Sequence, residues 1–346
     1  MSGQIIAVLG ATGAVGREIL TCLEDRDLDI KEIRLLASKN SAGTEVEFRG
    51  KNYEVKEVHP DHFKGVTIAF FAAGGSTSKE YAPIAIEAGA IVIDKSSHFR
   101  MDKNTPLVVP EVNSAVLREY LTKITPKKGG LIASPNCSTI QLVVVLKPIA
   151  DQFGLKRVVL STYQSVSGAG QKGIDELSSQ VISLFSHGEV EVKNMPYQIA
   201  FNCIPQIDSF LPNGYTKEEI KVIEESRKIM SLPDLKITAT AVRVPTFACH
   251  GESVNIETDR SVDPKSVQVL LRGSPGVVVY DNPDKQEYPL GVDVVGTDAT
   301  YVGRIRRDES LTNGINLWIV ADNLRKGAAL NAVQIAEIIA HERGLH

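Results

Sequence analysis

Ile5-Ile6-Ala7-Val8-Leu9-Gly10-Ala11-Thr12-Gly13-Ala14-Val15-Gly16 joins an apolar run to a glycine-rich turn, and helical spacing then continues through Ile19, Leu20 and Leu23. A short, wholly apolar run suits a central parallel strand buried on both faces. Strand, glycine turn and helix, in that order, form the setting in which a phosphate rests on a helix N-terminus. The glycines follow GxxGxxG, where the commoner fingerprint is GxGxxG. Taken alone, the pattern also fits a tight turn that binds nothing, so the surrounding chain decides.

Outward from that turn, an α/β alternation continues. A second strand, 33–37, ends in Ser38-Lys39-Asn40-Ser41 without the acidic residue that usually holds the ribose hydroxyls of NAD. Hydroxyls and a lysine suit a 2′-phosphate, which predicts NADP over NAD; a surface turn has the same look. Runs 44–48 and 53–58, separated by Arg49-Gly50-Lys51-Asn52, read as a hairpin. Strand 68–72, a second turn Gly74-Gly75-Ser76-Thr77, helix 79–87 and strand 91–94 follow. Ser96-Ser97-His98-Phe99-Arg100 then brings Arg100 to the strand ends where ligands of open α/β sheets gather, although most arginines are simply solvated. A strand over 106–110 and a helix over 114–121 are expected, with 122–130 as the linker.

Ser134-Pro135-Asn136-Cys137-Ser138-Thr139 lies between two apolar runs and reads as strand, turn and helix start. A thiol there faces unpaired backbone N–H groups and the positive end of a helix dipole, which favour thiolate. Ser138 and Thr139 suit the same cap. Most free cysteines are small buried hydrophobes, and Cys137 alone fits that description too. Pro148 should kink or end the helix.

Beyond it, 157–163 alternates as a strand of a second, half-exposed sheet and runs into Gln164-Ser165-Val166-Ser167-Gly168-Ala169-Gly170, small residues that let a ring approach closely. A helix over 174–185 follows. Helix 216–230 begins with a capping Thr216 and carries Glu218 and Lys221 three apart on one face, the spacing of an ordinary surface ion pair. Strand 236–244 delivers Arg243, and a turn then holds Cys249-His250-Gly251-Glu252. A histidine near its ordinary pKa in a loop suits proton transfer, but His59 and His62 occupy loops as well. Strands over 254–258, 277–280, 301–306 and 315–320 complete a largely antiparallel region. Asp322-Asn323 caps a last helix over 324–341.

With 346 residues, 43% hydrophobic and 23% charged, the chain is long enough for two domains. Its net charge of −4 and lack of basic blocks point away from nucleic acid and anionic membranes. Cys22, Cys137, Cys203 and Cys249 form no CxxC pair or metal-like cluster, so no metal is expected and a reduced, cytoplasmic protein is. The strand-like N-terminus and the absence of a membrane-length run argue against secretion and membrane insertion.

The glycine turn, Ser96-Ser97-His98-Phe99-Arg100-Met101, the Cys137 stretch, Arg243-Val244-Pro245-Thr246-Phe247-Ala248-Cys249-His250-Gly251-Glu252-Ser253 and Asp322-Asn323-Leu324-Arg325-Lys326-Gly327-Ala328-Ala329 together closely resemble the bacterial aspartate-β-semialdehyde dehydrogenases. The resemblance runs over essentially the whole chain, and the cysteine and histidine stretches are its most diagnostic parts. It implies an α/β plus α+β architecture: a Rossmann-like NADP-binding domain (1–130), a mixed or antiparallel-sheet catalytic and dimerisation domain (131–321), and a C-terminal helix (322–346) returning to the first domain. It implies NADPH-dependent reductive dephosphorylation of L-aspartyl-4-phosphate to L-aspartate-4-semialdehyde and phosphate, the step shared by lysine/diaminopimelate, methionine, threonine and isoleucine synthesis. Cys137 becomes the acyl-thioester nucleophile, His250 the acid/base and Gln164 the orienting amide. Arg243 holds the substrate carboxylate and Glu218 its amino group, while Arg100 and Lys221, helped by Asn136, bind phosphate. The cofactor lies along Gly10, Thr12, Gly13, Ala14 and Val15, the Ser38-Lys39-Asn40-Ser41 turn, Ser167-Gly168 and Asn323. A homodimer or a tetramer of dimers is implied.

One departure stands out: the family commonly has arginine in the 2′-phosphate turn where this chain has Asn40, and Lys39 is the neighbouring cation. Two rival functions run against this reading. N-acetyl-γ-glutamyl-phosphate reductases perform the same chemistry on an acylated substrate, whose amide has no need of the Glu218 carboxylate. A non-catalytic NADP-binding paralogue would lack Cys137 or His250, and both are present.

Overall fold

The computed structural model describes residues 3–125 and 128–344. The chain divides into two compact units, Met1–Asn136 with Ala328–His346, and Cys137–Gly327.

The first unit is built on β1 (Gln4–Leu9), β2 (Ile30–Ala37), a hairpin of β3 (Glu45–Phe48) and β4 (Lys51–Glu54), then β5 (Lys56–Glu57), β6 (Ile68–Phe71), β7 (Ile91–Asp94) and β8 (Gly130–Ala133). Six of these form one sheet in the order β5-β2-β1-β6-β7-β8. Every pair in it is parallel. Successive residues of β1 enter opposite cores: Ile6 and Val8 join one cluster, Ala7 and Leu9 the other. That double burial is why the strand reads as continuously apolar. The winding changes direction at β1, flanked by β2 and β6, and such switch points place a crevice at the strand ends.

Helices α1 (Ala14–Glu24), α2 (Gly75–Glu87) and α3 (Pro110–Lys123) follow these strands. The C-terminal helix Leu330–Glu342 buries Leu330, Val333, Ile335 and Ile339 in one cluster with Ile19, Leu23 and Leu117. At about 1.5–3 kcal/mol for each such side chain, its burial rivals a typical net stability of roughly 5–15 kcal/mol. The helix is part of this core.

Several expectations need correction. β8 belongs to the first sheet, so the division falls at Asn136/Cys137 and not at residue 130. The C-terminal portion of the first unit starts at Ala328, where 322 was expected. The second hairpin strand stops at Glu54, and Lys56–Glu57 crosses to pair with β2. Gly75, Ser76 and Thr77 form the first turn of α2 instead of a loop. The strand expected over 106–110 is a single bridge, Leu107 to Ala133, because Pro110 starts α3 at its first position. Of the linker expected over 122–130, residues 122–123 belong to the end of α3 and Gly130 opens β8, residues 124–125 and 128–129 lie in neither helix nor strand, and residues 126–127 lie outside the described residues.

The second unit contains α4 (Cys137–Phe153), β9 (Arg157–Gln164), α5 (Gln171–Phe185), α6 (Lys217–Met230), β10 (Lys236–Arg243), β11 (His250–Glu257), α7 (Pro264–Arg272), β12 (Val277–Val279), α8 (Gly291–Val294), β13 (Thr300–Arg307) and β14 (Gly314–Ala321). Its sheet runs β10-β9-β11-β14-β13-β12. The three central pairings are antiparallel and the two outer ones parallel, so the sheet is mixed. α4 is apolar nearly all round, with Ile140, Leu142, Val143, Val145 and Leu146 buried, and it continues past Pro148. Thr216 and Glu219 close a capping box on α6: Glu219 N–H donates to Thr216 Oγ1, and Thr216 N–H to Glu219 Oε2.

Candidate active site

In the first unit, β1 runs into Gly10 at φ +91°, and a Cβ there would lie 2.7 Å from the Ala72 carbonyl oxygen. Only glycine makes this turn. α1 then starts with Gly13 as its N-cap; no side chain among the described residues caps it, and no acid sits in its first turn. A cavity of about 450 Å³ is lined by Gly10, Thr12, Gly13, Ser38, Lys39 and Ser41, together with Glu57, Thr77 and Tyr81. An open helix N-terminus, backbone N–H groups and a lysine fit a dinucleotide phosphate. Asn40 is exposed and is not among the lining residues. Glu57 stands in register with Ala37, so an acid reaches this cavity from β5 although β2 ends without one.

Arg100 is buried near the end of β7, with Nε donating to the Ser134 carbonyl at 3.0 Å and Nη2 to the Lys95 carbonyl at 2.7 Å. Lys95 Nζ in turn donates to Ser134 Oγ and the Pro135 carbonyl. Asp94 anchors this segment by accepting from Ser78 Oγ, Ser96 N–H and Ser96 Oγ. Asn136 is buried at the end of the same turn.

The second unit holds the thiol. Cys137 is the first residue of α4 and half-buried. Across from it a π-helical turn, Arg325–Ala329, is started by Asp322, whose Oδ1 accepts from the Leu324 and Arg325 N–H groups. A Cβ on Gly327 would lie 2.9 Å from Cys137 Cβ and 3.3 Å from its Cα. Such π turns recur at functional sites, and here the turn lets backbone press against the thiol-bearing residue. Gly327→Ala is expected to displace Cys137 and lower kcat by roughly ten- to a hundredfold, with Cys137 alkylation by iodoacetamide slowed in parallel. Unchanged rates in both assays would show that the contact is idle.

His250 opens β11, opposite Gln164 of β9, and is fully buried. Its Nδ1 accepts from Ser165 N–H at 3.1 Å, which assigns the neutral-ring proton to Nε2. Nε2 has no hydrogen-bond partner among the described residues. Burial first, and the Arg243 cation second, push the imidazole down to about 3. The expected loop histidine with an ordinary pKa is therefore corrected to a strand residue that stays neutral. A Cβ on Gly168 would approach both His250 Nε2 and Arg243 Nη1, so this glycine keeps the space over the pair open.

Arg243 ends β10, is buried, and donates through Nη1 to the Ser165 carbonyl at 2.7 Å. Burial lowers its pKa, opposed by attraction to the Glu218 carboxylate and the Cys137 thiolate. Gln164 Nε2 donates to Glu218 Oε1 at 3.2 Å, and Thr162 Oγ1 donates to Gln164 Oε1. Lys221 Nζ bridges Glu218 Oε2 at 3.2 Å and Asp208 Oδ2 at 2.8 Å. Burial works to lower the Lys221 pKa, but the two carboxylates outweigh it and hold the ammonium above its ordinary value. Asn323 closes the group from the other side through Ser165 and Ser167, whose hydroxyls both reach its Oδ1.

The structure thus brings together Cys137, Gln164, Ser167, Gly168, Glu218, Lys221, Arg243, His250 and Asn323 in one unit, and Gly10, Thr12, Gly13, Ser38, Lys39 and Ser41 in the other, where Ala14 and Val15 open α1. Ser165, Asp208, Gly327 and Glu57 were not singled out from sequence, although Ser165 and Gly327 lie inside stretches that were quoted. No group of three or more side chains among the described residues is arranged to hold a metal ion. No described helix is long and apolar enough to cross a membrane.

A nucleotide-type parallel-sheet unit, followed by a mixed-sheet unit carrying thiol, imidazole and guanidinium, defines the semialdehyde dehydrogenase class. Matching family models agree: "Semialdehyde dehydrogenase, NAD binding domain" covers residues 5–120 and "Semialdehyde dehydrogenase, dimerisation domain" covers 146–326. The aspartate-semialdehyde dehydrogenase of Bacillus subtilis is 52% identical over 343 residues, 97% of each chain. That of Aquifex aeolicus is 49% identical, covering 98% of this chain and 99% of its own. Aspartate semialdehyde dehydrogenase II of Vibrio cholerae, solved complexed with ASA, superposes with a TM-score of 0.94 at 46% identity over 99% of both chains. The chain belongs to the aspartate-semialdehyde dehydrogenase family.

Proposed function

We propose that this chain reduces L-aspartyl-4-phosphate with NADPH to L-aspartate-4-semialdehyde and phosphate, through an acyl-thioester on Cys137. The assembly of Cys137 with Arg243, His250, Gln164 and Glu218 carries this reading. The Cys137 thiolate attacks the acyl carbon, the C–O bond to phosphate breaks, and the leaving phosphate takes one proton from solvent. Bound NADPH supplies a hydride. His250 Nε2–H donates a hydrogen bond to the oxyanion of the tetrahedral species, and collapse to the aldehyde returns the thiolate. Arg243, through donors other than the one on Ser165, grips the α-carboxylate, and Glu218 meets the amino group. Gln164 orients the acyl chain, and Lys221, Arg100 and Asn136 receive the phosphate.

A buried carboxylate at Glu218 favours a free amino group over an acetamide, which separates this reading from an N-acetyl-γ-glutamyl-phosphate reductase. The decisive assay is phosphate-dependent NADP reduction with aspartate semialdehyde beside N-acetylglutamate semialdehyde. Preference for the second substrate would overturn the proposal.

The cofactor is NADP, with the 2′-phosphate on Lys39, Ser38 and Ser41, and with Ser167, Gly168 and Asn323 on the nicotinamide side. NADPH is expected to exceed NADH in kcat/KM, and Lys39→Ala to reduce that ratio by about five- to thirtyfold, the worth of roughly 1–2 kcal/mol of charge-assisted bonding. An unchanged ratio would move the 2′-phosphate elsewhere.

The active form is a homodimer or a tetramer of dimers, in keeping with the exposed Tyr163, Phe201, Phe210 and Phe247 of the second unit. It works in the cytoplasm, where its four cysteines, none of them in a disulfide among the described residues, stay reduced.

A further inference from the structure

Glu252 lies two residues after His250 on β11 and shares its face of the sheet. It is fully buried, and neither carboxyl oxygen has a hydrogen-bond partner among the described residues. Its ladder neighbours offer nothing. On β14 it faces Ile319, and on β9 it faces Thr162, whose hydroxyl proton is given to Gln164 Oε1. A carboxylate without water, cation or donor is costly enough that such a group takes up a proton.

The polar group beside it is the amide of Gln141, also fully buried, on α4 one turn after Cys137. Gln141 Nε2 donates to the His250 carbonyl at 3.3 Å, while its Oε1 has no partner among the described residues. A carboxylic acid supplies the donor that Oε1 lacks, and an ionised carboxylate cannot. Two buried orphans are satisfied by one proton.

We propose that Glu252 is a positioning residue held as a neutral carboxylic acid, bonded to Gln141, which ties the β11 end carrying His250 to the helix carrying Cys137. Burial raises the Glu252 pKa well above that of an ordinary carboxyl and outweighs the opposing pull of the Gln141 amide, so the net direction is the one this requires. The relay runs from the Glu252 O–H to Gln141 Oε1, and from Gln141 Nε2–H to the His250 carbonyl. It sets the distance between thiol and imidazole without touching substrate. The inference rests on the thioester mechanism proposed above.

The test compares E252Q, E252M, Q141M and the E252M/Q141M double variant of the full chain, each checked for folding by thermal melting and NADPH binding. An amide at 252 still donates to Gln141, so E252Q should keep kcat within about threefold. E252M and Q141M should each lose roughly ten- to a hundredfold in kcat, with KM for aspartate semialdehyde within about twofold. The double variant should be no worse than either single one, because both cut the same link. A merely structural role would lower the melting temperature and leave kcat alone. The proposal is overturned if E252Q is as impaired as E252M, which would demand the charge, or if Q141M and E252M keep wild-type kcat, or if their losses multiply. Should E252M fail to fold, E252Q and Q141M decide the matter. Wild-type turnover tests the assigned reaction and the ratios among variants test the relay, so the two failures are distinguishable.

Discussion

Cys137→Ala is expected to abolish aspartate-semialdehyde turnover, by roughly four orders of magnitude or more in kcat, as for other enzymes stripped of their nucleophile. NADPH binding, followed by its fluorescence, should be unchanged, because Cys137 is not among the residues proposed to hold the cofactor and does not line the cavity at Gly10, Thr12 and Lys39. The substitution shortens a half-buried side chain at a helix start, so a large loss of stability is not expected to confuse the result. Residual activity above a hundredth of wild type would remove the covalent step from the mechanism.

His250→Ala comes next, with an expected fall of about 10²–10³ in kcat, the worth of one donor to a developing oxyanion. The neutral ring with its proton on Nε2 makes a sharper forecast. His250→Asn, which offers a neutral N–H donor, should recover part of what alanine loses, whereas a base that must accept a proton would not be replaced by an amide. The same ring shapes stability. An unfolded imidazole titrates near 6.5, and the folded one near 3. Between those values the unfolded chain binds a proton that the folded chain refuses, so stability falls as pH drops through that window, by up to about 1.4 kcal/mol per unit. Urea midpoints for the wild type should decline below roughly pH 6.5 more steeply than those of the asparagine variant. Parallel curves would contradict the buried neutral ring.

How much of this was legible beforehand depends on whether the information was local. The first strand, its glycine turn and α1 are fixed by neighbours in sequence, and they stand where the pattern put them. The capping box at Thr216 is equally local. Glu57 escaped notice because a two-residue strand has no periodicity, and its place beside Ala37 is a long-range pairing. The start of β11 looked like a turn because its inward-facing residues, His250 and Glu252, are polar; function inverts the usual alternation there. Pro148 was expected to disturb α4, yet a helix buried on most sides outweighs a local penalty of about 3 kcal/mol. Gly327 could be read as a glycine but not as the residue pressed on Cys137, far away in the chain.

The thioester itself is open to the most direct test. Without phosphate, the enzyme mixed with aspartate semialdehyde and NADP should release a burst of one NADPH per subunit and stop, with the Cys137 peptide carrying one aspartyl group by mass spectrometry. Phosphate should then restore steady turnover. Continuous phosphate-independent turnover with Cys137 unmodified, or an aspartyl group on any other residue, would contradict the account.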